Sequence, residues 1–224
     1  MHSTNKDVNI EDAVLVVAHP DDEILFGWPV FFNEEYEKHL IICSSDYYNE
    51  NRKWCKYRKN SLKKVCELEN VSHTCLDYNS SFYLTQTRRP PGIPSGEPGD
   101  SFSPFRAMCD DIVQNLTNRV DDYDYIFTHN PYGEYGHMDH KLLFELILKN
   151  TNKPLLFTDI VMSSNWSEGY PKRNKKIEEL FYKNKKEDFL IDWEKYNKYK
   201  KIYEEDGVWT WSRKTPEKCS LFEV

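Results

Sequence analysis

The sequence predicts an α/β protein with a Rossmann-like, mostly parallel sheet flanked by helices. Short apolar runs rich in β-branched residues alternate along the chain with segments of helical periodicity. Runs that are apolar on both faces are typical of buried parallel strands, and β-α-β-α-β order produces a right-handed doubly wound sheet. We expect one domain over residues 1–224, with a core at about 10–162 and a helical C-terminal extension over 163–224.

The predicted elements begin with the run AVLVVA. Strands are predicted at Ala13–Ala18, His39–Ser45, Val71–Asp77, Asp124–Asn130 and Pro154–Ile160. Helices are predicted at Ile24–Glu37, Arg52–Asn70, Arg106–Val120 and His137–Asn150. The late segment Lys172–Tyr203 is also predicted to be helical, because its lysines alternate with glutamates as on a solvated helix face.

The segment from Thr85 to Phe105 is expected to be a long loop. RRPPGIPSGEPGDSFSP, which starts at Arg88, holds five prolines and three glycines, a density that neither helix nor strand tolerates. Loops of this length in compact domains are usually functional or disordered. Arg88 and Arg89 are therefore candidates to bind a phosphate or a sugar hydroxyl of a substrate, and a solvated loop is the alternative.

The overall composition argues against several classes of function. The chain carries 37 acidic and 30 basic residues, a net charge of −7, whereas nucleic-acid binders usually present a basic surface. No run approaches the roughly 18 apolar residues of a membrane span, and the polar start is unlike a secretory signal. The six cysteines form no C-x-x-C pair, which is typical of reduced thiols. We expect a cytoplasmic protein with no nucleic-acid partner and no membrane anchor.

Two polar clusters are expected at neighbouring strand ends. His-Pro-Asp-Asp-Glu follows the first strand, and His-Asn-Pro-Tyr-Gly-Glu-Tyr-Gly-His-Met-Asp-His follows the fourth. In open α/β sheets, ligands bind beyond the carboxyl ends of the strands. The fold should therefore bring these two distant segments side by side.

The first cluster contains a pair of residues suited to a metal. Pro20 fixes one backbone dihedral, so the chain turns there, and the turn brings His19 and Asp22 together. Imidazole plus carboxylate suits zinc or ferrous iron. Asp21 should project differently and could face a water on the metal rather than the metal itself. The alternative is a turn in which an aspartate caps the next helix.

The second cluster supplies two histidines at a spacing of three. His137 and His140 would face the same side of the first turn of a helix. Either of them can complete a His-Asp-His triad, and the fourth metal position would then stay open, as in catalytic zinc sites. A surface pair of histidines is the alternative.

The two clusters together resemble the PIG-L/LmbE family of N-deacetylases. The resemblance rests on AHPDDE at 18–23, after a first strand, and on the distant His-x-Asp-His at 137–140. It spans Ala13 to Ile160. The resemblance implies a Rossmann-like fold and a metal-dependent hydrolase that removes an N-acetyl group from an N-acetylglucosamine-type sugar or sugar conjugate. The implied cofactor is Zn²⁺, with Fe²⁺ or another divalent metal as alternatives, and a homo-oligomer is compatible with this function.

The resemblance also selects among the metal candidates. It implies that His19, Asp22 and His140 hold the metal, and that Asp21 is the general base acting on a water at the metal. Members of the family often carry Arg-x-x-Glu in the helix after the second strand. Here Arg58 is followed by Ser61, so a supporting contact is expected to differ.

Three further residues receive roles from the same resemblance. His137 would stabilise the tetrahedral oxyanion or protonate the leaving amine, Asp139 would orient His137, and Tyr135 would be a second donor to the oxyanion. His129, at the end of the fourth strand, is a candidate to line the substrate site or to act as a structural histidine. Trp209 and Trp211 could stack on a sugar ring, and a packed C-terminal edge is the alternative.

Three rival functions can be weighed against this one. Asn130-Pro131-Tyr132 is similar to part of the Asn-Pro-Pro-Tyr motif of S-adenosylmethionine-dependent methyltransferases, but the first strand is not followed by a glycine-rich loop. A non-haem iron oxygenase would use two histidines and one carboxylate, usually in an all-β barrel. A catalytically inactive sugar-binding module would keep the metal and lose turnover, which the retained acidic and histidine residues disfavour.

Overall fold

The computed structural model describes residues 11–44, 52–78, 103–160, 174–209 and 211–224. Within these ranges, seven strands form one mixed sheet with seven helices around it. The strands are β1 (Glu11–Val17), β2 (Tyr36–Ser44), β3 (Ser72–Tyr78), β4 (Tyr125–Thr128), β5 (Leu155–Thr158), β6 (Asn184–Leu190) and β7 (Lys218–Glu223). The helices are α1 (Asp22–Leu25), α2 (Trp28–Phe31), α3 (Arg52–Glu69), α4 (Ser103–Val120), α5 (Met138–Asn150), α6 (Lys175–Phe181) and α7 (Trp193–Glu205).

The sheet has the order β3-β2-β1-β4-β5-β7-β6. Strands β1 to β5 are parallel, whereas β7 runs antiparallel to both β5 and β6. The direction of winding reverses between β1 and β4, whose register pairs Val16 with Thr128. His19 and His129 follow these adjacent ends, so the expectation that the two polar clusters meet is confirmed.

Strand β1 is buried on both of its faces, as its continuous apolar run predicts. Residues 13–17 are 0% exposed. Leu15 and Val17 enter one core, which α3 and α7 cover, while Val14 and Val16 enter a second core, which α4 and α5 cover. Complete burial of one such side chain contributes about 1.5–3 kcal/mol, so this strand anchors the cluster that follows it.

The helix predicted at Ile24–Glu37 is wrong as a single element. The structure has two helices of four residues, α1 and α2, and then a turn into β2. Pro29 explains the interruption, because its ring would clash with the carbonyl four residues earlier and it has no N–H to donate. Gly27 permits a close approach as well, since a Cβ there would lie 3.0 Å from the carbonyl oxygen of Glu23.

The purely helical C-terminal extension also needs correction. Lys172–Tyr203 is predicted to be helical, but its described part contains the strand β6 between α6 and α7, and the strand β7 follows. Strand β6 is an edge strand whose residues are exposed apart from a half-buried Phe189, so its sequence lacks apolar alternation. The strand forms because β7 supplies a partner along its length.

No helix in the described parts of the chain is both long and apolar enough to cross a membrane. The proline-rich segment with Arg88 and Arg89 lies outside the described residues. Their predicted contact with substrate therefore stays a prediction.

Candidate active site

The turn after β1 places His19 and Asp22 in contact. Asp22 Oδ2 accepts a hydrogen bond from the backbone N–H of His19 at 2.8 Å and lies 3.2 Å from Nδ1 of the same histidine. The turn is closed by Asp22 N–H donating to the His19 carbonyl oxygen at 3.2 Å. Asp21 takes the strain of this turn, with φ of 98° in the left-handed region. The spacing of three residues that the sequence suggested is thus a direct contact.

Asp21 is a buried carboxyl with two fixed partners. Its backbone N–H donates to Glu23 Oε2 at 2.8 Å, and Arg58 Nη2 lies 2.5 Å from its Oδ1. Its Oδ2 is buried and has no hydrogen-bond partner in the described part of the chain. Burial raises the pKa of Asp21 to about 7, against the opposing charge of Arg58. A carboxyl of this kind can both accept and return a proton near neutral pH.

Asp21 depends on residues from three helices, α1, α3 and α7. Glu23 is 0% exposed and, besides the Asp21 N–H, accepts a hydrogen bond from Tyr203 Oη of α7 at 2.6 Å. Arg58 comes from α3. The residue three positions later, Ser61, donates to Asp206 Oδ2 at 2.8 Å, so α3 holds the segment after α7 as well as the aspartate.

The loop after β4 folds back on itself to bring Glu134 inside. Asn130 organises it, because its Oδ1 accepts from the N–H of Tyr132 and of Glu134 while its Nδ2 donates to the Ile160 carbonyl oxygen. Gly133 permits the tight return, since a Cβ there would lie 2.6 Å from the carbonyl oxygen of His137. Glu134 itself has φ of 53° and is 1% exposed.

Glu134 is a candidate site residue that the sequence did not reveal. Its Oε2 lies 2.6 Å from Nδ1 of His140 and 3.1 Å from Nδ1 of His129, and its Oε1 accepts the N–H of Asn130 at 3.0 Å. Burial would raise the pKa of Glu134, but the two imidazoles lower it to about 2. A clue was present in the sequence: one acid between two glycines just before His-x-Asp-His.

The two histidines of the predicted triad are held in the same manner. His140 directs Nδ1 at Glu134, and its Nε2 lies 3.4 Å from Asp22 Oδ2. His19 directs Nε2 at Asp139 Oδ2, 3.1 Å away, and its Nδ1 faces Asp22. A carboxylate on one ring nitrogen fixes the proton there and leaves the other nitrogen for a metal, as is usual for metal-binding histidines.

The two distances from Asp22 to the histidines of this triad suit a divalent metal. A tetrahedral zinc site with bonds of about 2.0–2.2 Å holds neighbouring ligand atoms about 3.3–3.5 Å apart. Asp22 Oδ2 lies 3.2 Å from His19 Nδ1 and 3.4 Å from His140 Nε2. His140 Nε2 is also buried without a hydrogen-bond partner among the described residues, an arrangement that a cation would complete.

The charges around His19 also favour a bound cation. Burial would lower the pKa of His19, but Asp139 and Asp22 raise it to about 9. Carboxylates on two sides therefore attract positive charge to this imidazole. A divalent cation at Nδ1 would satisfy the same attraction in place of a proton.

The described residues contain two groups of three possible metal ligands, and within each group the ligand atoms all lie within 4.8 Å of one another. Neither group contains all three residues of the predicted triad. One group is His19, His137 and His140, and the other is Asp22, His129 and His140. His140 belongs to both groups.

His129 does not fit the substrate-binding role that was one expectation for it. Its Nε2 accepts the N–H of Ala18 at 2.9 Å and its Nδ1 faces Glu134, so both ring nitrogens are engaged. It is 1% exposed and stacks on His140 with ring centroids 3.7 Å apart. His129 therefore supports the orientation of His140 from behind.

His137 lies at the open side of the cluster. It precedes the first residue of α5, and its Nδ1 accepts the N–H of Asp139 at 3.2 Å. Burial, together with His140 and His19, lowers the pKa of His137 to about 2. The neutral ring then carries its proton on Nε2, which suits a hydrogen-bond donor better than an acid.

Asp139 contacts a different histidine from the one expected. Its Oδ2 lies 3.1 Å from His19 Nε2 but 4.0 Å from His137 Nδ1. Its side chain orients His19, and it orients His137 through its backbone N–H.

Tyr135 and Trp211 form an aromatic layer beside the cluster. The Tyr135 ring lies 5.4 Å from His137 and 5.3 Å from Trp211. Burial raises the pKa of Tyr135, so its hydroxyl keeps its proton and can act as a donor. Trp209 packs against Tyr203, with ring centroids 6.1 Å apart, and thus belongs to the packed edge.

Comparison with known proteins finds a matching family model and several structures of similar fold. The family model described as PIG-L, GlcNAc-PI de-N-acetylase, matches residues 14–150. A curated relative, Uncharacterized protein L374 of Acanthamoeba polyphaga mimivirus, is 26% identical over 155 residues, and the match covers 66% of this chain and 60% of that protein. The chain thus spans less than two thirds of the length of that relative.

Several solved structures share the fold. The deacetylase–teicoplanin complex from the biosynthesis pathway of teicoplanin has a TM-score of 0.58 at 12% identity, with 95% of this chain and 97% of that chain covered. The zinc inhibited form of teicoplanin deacetylase Orf2 has a TM-score of 0.57 at 12% identity, with 95% and 97% covered. The A40926 pseudoaglycone deacetylase Dbv21 has a TM-score of 0.55 at 12% identity, with 89% and 82% covered. At such identities the likeness shows the fold alone.

Proposed function

Because the chain belongs to the PIG-L family, we propose that it is a metal-dependent hydrolase that removes an N-acetyl group from an N-acetylglucosamine-type sugar or sugar conjugate. The buried Nε2 of His140 supports this most directly, because it has no hydrogen-bond partner in the described residues and lies 3.4 Å from Asp22 Oδ2. The deacetylases among the solved neighbours share the fold on which this site is built.

In this proposal His19, Asp22 and His140 hold the metal, with Zn²⁺ as the first choice and Fe²⁺ as the alternative. A bound divalent metal supplies Lewis acidity, which polarises an amide carbonyl and makes water more acidic. The second nitrogen of each histidine stays with its carboxylate, Asp139 for His19 and Glu134 for His140.

Asp21 moves the proton in both halves of the reaction. Its Oδ2 takes a proton from the attacking water as the new C–O bond forms at the acetyl carbonyl. The resulting carboxylic acid returns that proton to the amide nitrogen as the C–N bond breaks, so that a neutral amine leaves. A pKa of about 7 suits Asp21 to both directions. The products are acetate and the free amino sugar.

His137 and Tyr135 act as neutral donors to the oxygen of the tetrahedral intermediate. His137 offers Nε2–H, because its Nδ1 is taken by the Asp139 N–H. Such donors lower the barrier only where negative charge develops. Between the two roles that the sequence left open for His137, its geometry favours this one.

The hydrogen bonds of Asn130, in the loop after β4, argue against a methyltransferase. Asn130 would need a free side-chain amide to hold a substrate amine. Its Nδ2 instead donates to the Ile160 carbonyl oxygen at 2.6 Å, and its Oδ1 accepts from two backbone N–H groups.

The test of the proposal is metal-dependent release of amine. Apoprotein prepared with a chelator is titrated with up to one equivalent of Zn²⁺, Fe²⁺ or Co²⁺, and free amine is measured with the methyl glycoside and the 1-phosphate of N-acetylglucosamine. A solved neighbour is described as a zinc inhibited form, so the metal is titrated rather than supplied in excess. We expect activity to rise to one equivalent. Metal binding without amine from any substrate would favour the sugar-binding module.

A further inference from the structure

The segment between α7 and β7 places an arginine beside the aromatic layer of the candidate site. The Arg213 guanidinium lies 5.5 Å from the centre of the Tyr135 ring and 5.2 Å from that of Trp211. Trp211 also packs edge-on against Phe26, with ring centroids 5.7 Å apart. Tyr135 in turn contacts His137 and His140. The guanidinium is therefore one aromatic ring away from the proposed catalytic groups.

Arg213 has no counter-charge among the residues that the structure describes. Its Nη1 is buried without a hydrogen-bond partner, and the guanidinium forms no ion pair with any residue that the structure describes. The nearest acid along the chain, Glu217, is bound instead by Lys214 at 3.0 Å. An indole donor is also unsatisfied beside it, because Trp211 Nε1 is buried without a partner in the same parts of the chain.

This combination is unusual for a partly buried cation. Charged groups that leave water are normally paired, and a buried donor without a partner is destabilising. The chain has no shortage of carboxylates, with 37 acidic residues against 30 basic ones. The two rings hold the guanidinium in place through cation–π contacts and leave its planar fork for a ligand.

We propose that Arg213 and Trp211 form a subsite for an oxyanion group, a phosphate or a carboxylate, carried by the substrate next to its N-acetylated sugar ring. This rests on the proposed function. A guanidinium binds either group through paired N–H donors, and the indole N–H adds a third. The sugar would lie along Tyr135, with its acetamide at the candidate metal ligands and its anionic substituent at Arg213.

The test compares three substrates in each protein variant. These are the methyl glycoside of N-acetylglucosamine, which is neutral, its carboxymethyl glycoside and N-acetylglucosamine 1-phosphate. Wild type, Arg213→Gln and the neighbouring Lys214→Gln are assayed with metal for kcat/KM. The quantity compared is the kcat/KM for an anionic substrate divided by the kcat/KM for the neutral substrate. This ratio does not depend on the folded fraction of a variant.

We expect the wild type to prefer at least one anionic substrate, and Arg213→Gln to lower that ratio by about 10- to 100-fold, mainly through KM. Lys214→Gln removes the same charge from an exposed side chain and should keep the wild-type ratio. The substrate that shows the larger preference identifies phosphate or carboxylate as the group bound. An unchanged ratio in Arg213→Gln would overturn the subsite while leaving the deacetylase intact.

Calorimetry separates the two proposals if no substrate is deacetylated. N-acetylglucosamine 1-phosphate is titrated into wild type and Arg213→Gln, each loaded with metal. Binding that weakens at least tenfold in the variant keeps the subsite and removes the deacetylase function. Equal binding in the two proteins, or binding in neither, overturns the subsite as well.

Discussion

At the scale of single residues, two adjacent aspartates have opposite environments. Asp22 Oδ2 faces His19, His140 and a backbone N–H, and although burial opposes it, these imidazoles hold the pKa of Asp22 well below its usual range. Asp21 contacts Arg58 through one oxygen, whereas its other oxygen has no hydrogen-bond partner among the described residues, and burial raises the pKa of Asp21 to about 7. Neighbouring carboxyl groups whose environments shift their pKa values in opposite directions typically have different roles in catalysis.

Asp21→Asn tests the role of the general base. The substitution keeps the size of the side chain and removes the proton acceptor, so we expect kcat to fall by about 100- to 10,000-fold. Bound metal, measured by elemental analysis, should stay at the wild-type level because Asp22 is untouched. Asp121→Asn makes the same change at an exposed turn and should retain full activity. Near wild-type turnover in Asp21→Asn would show that another group is the base.

Glu134→Gln tests the histidine support that the sequence did not reveal. An amide can still bond to one imidazole, but it cannot accept from both His129 and His140 through the same charged oxygen. Loss of such a partner usually lowers metal affinity by about 10- to 100-fold. Competition with a chromophoric chelator measures it, and Glu145→Gln on the exposed side of α5 is the control. Unchanged affinity would remove Glu134 from the metal site.

At the scale of elements, α7 supports the turn after β1, although Tyr203 lies 180 residues after its partner Glu23 in the chain. Tyr196, Tyr199 and Tyr203 form its buried face. Tyr203 reaches Glu23, and Glu23 fixes the backbone N–H of Asp21 in its left-handed conformation. A hydrogen-bond relay thus joins this helix to the proposed base.

Tyr203→Phe tests this relay. We expect the free energy of unfolding to fall by about 1–3 kcal/mol, because buried Glu23 loses a donor, and kcat to fall while KM is retained. Tyr196→Phe is the matched change on the same helix, since it removes a hydrogen bond to Thr215 Oγ1 instead. It should lose stability without the fall in kcat. Equal effects on kcat would mean that α7 acts only through general stability.

At the scale of the whole molecule, the C-terminal strands are part of the sheet rather than an appendage. β7 lies between β5 and β6, and Leu221 is 0% exposed in the core that also contains Leu15 and Phe127. The residues that carry Trp211 and Arg213 run directly into this strand. The fold therefore fixes the position of the proposed oxyanion subsite relative to the proposed metal ligands.

Leu221→Ala tests whether β7 belongs to the main folding unit. Truncation of a fully buried leucine leaves a cavity, and we expect a loss of about 2–5 kcal/mol in the free energy of unfolding, measured with urea. The transition should stay single and cooperative. Leu180→Ala, at a side chain that is 64% exposed, should change stability little. A small loss at Leu221, or a separate early transition, would indicate an independent C-terminal unit.

The sequence predicts those parts of the molecule whose local chemistry agrees with the fold. β1 is recognisable because AVLVVA is apolar on both faces, and the clustering of His19, Asp22 and His140 follows from strand order. β6 is not recognisable, because an exposed edge strand needs no apolar alternation and exists through its pairing with β7. The sequence does not identify Glu134 and Arg213 for a related reason, since their proposed roles depend on contacts with residues that are distant or unremarkable in the sequence.

The identity of the metal ligands is the central claim, and a crystal structure of protein loaded with one equivalent of zinc tests it most directly. Anomalous scattering at the zinc edge locates the ion independently of any assumption about the site. We expect one ion at about 2.0–2.2 Å from His19 Nδ1, Asp22 Oδ2 and His140 Nε2, with His137 and Asp21 beside it but unbound. An ion held by His129 or His137 in place of Asp22, or no ion in this cluster, would contradict the account.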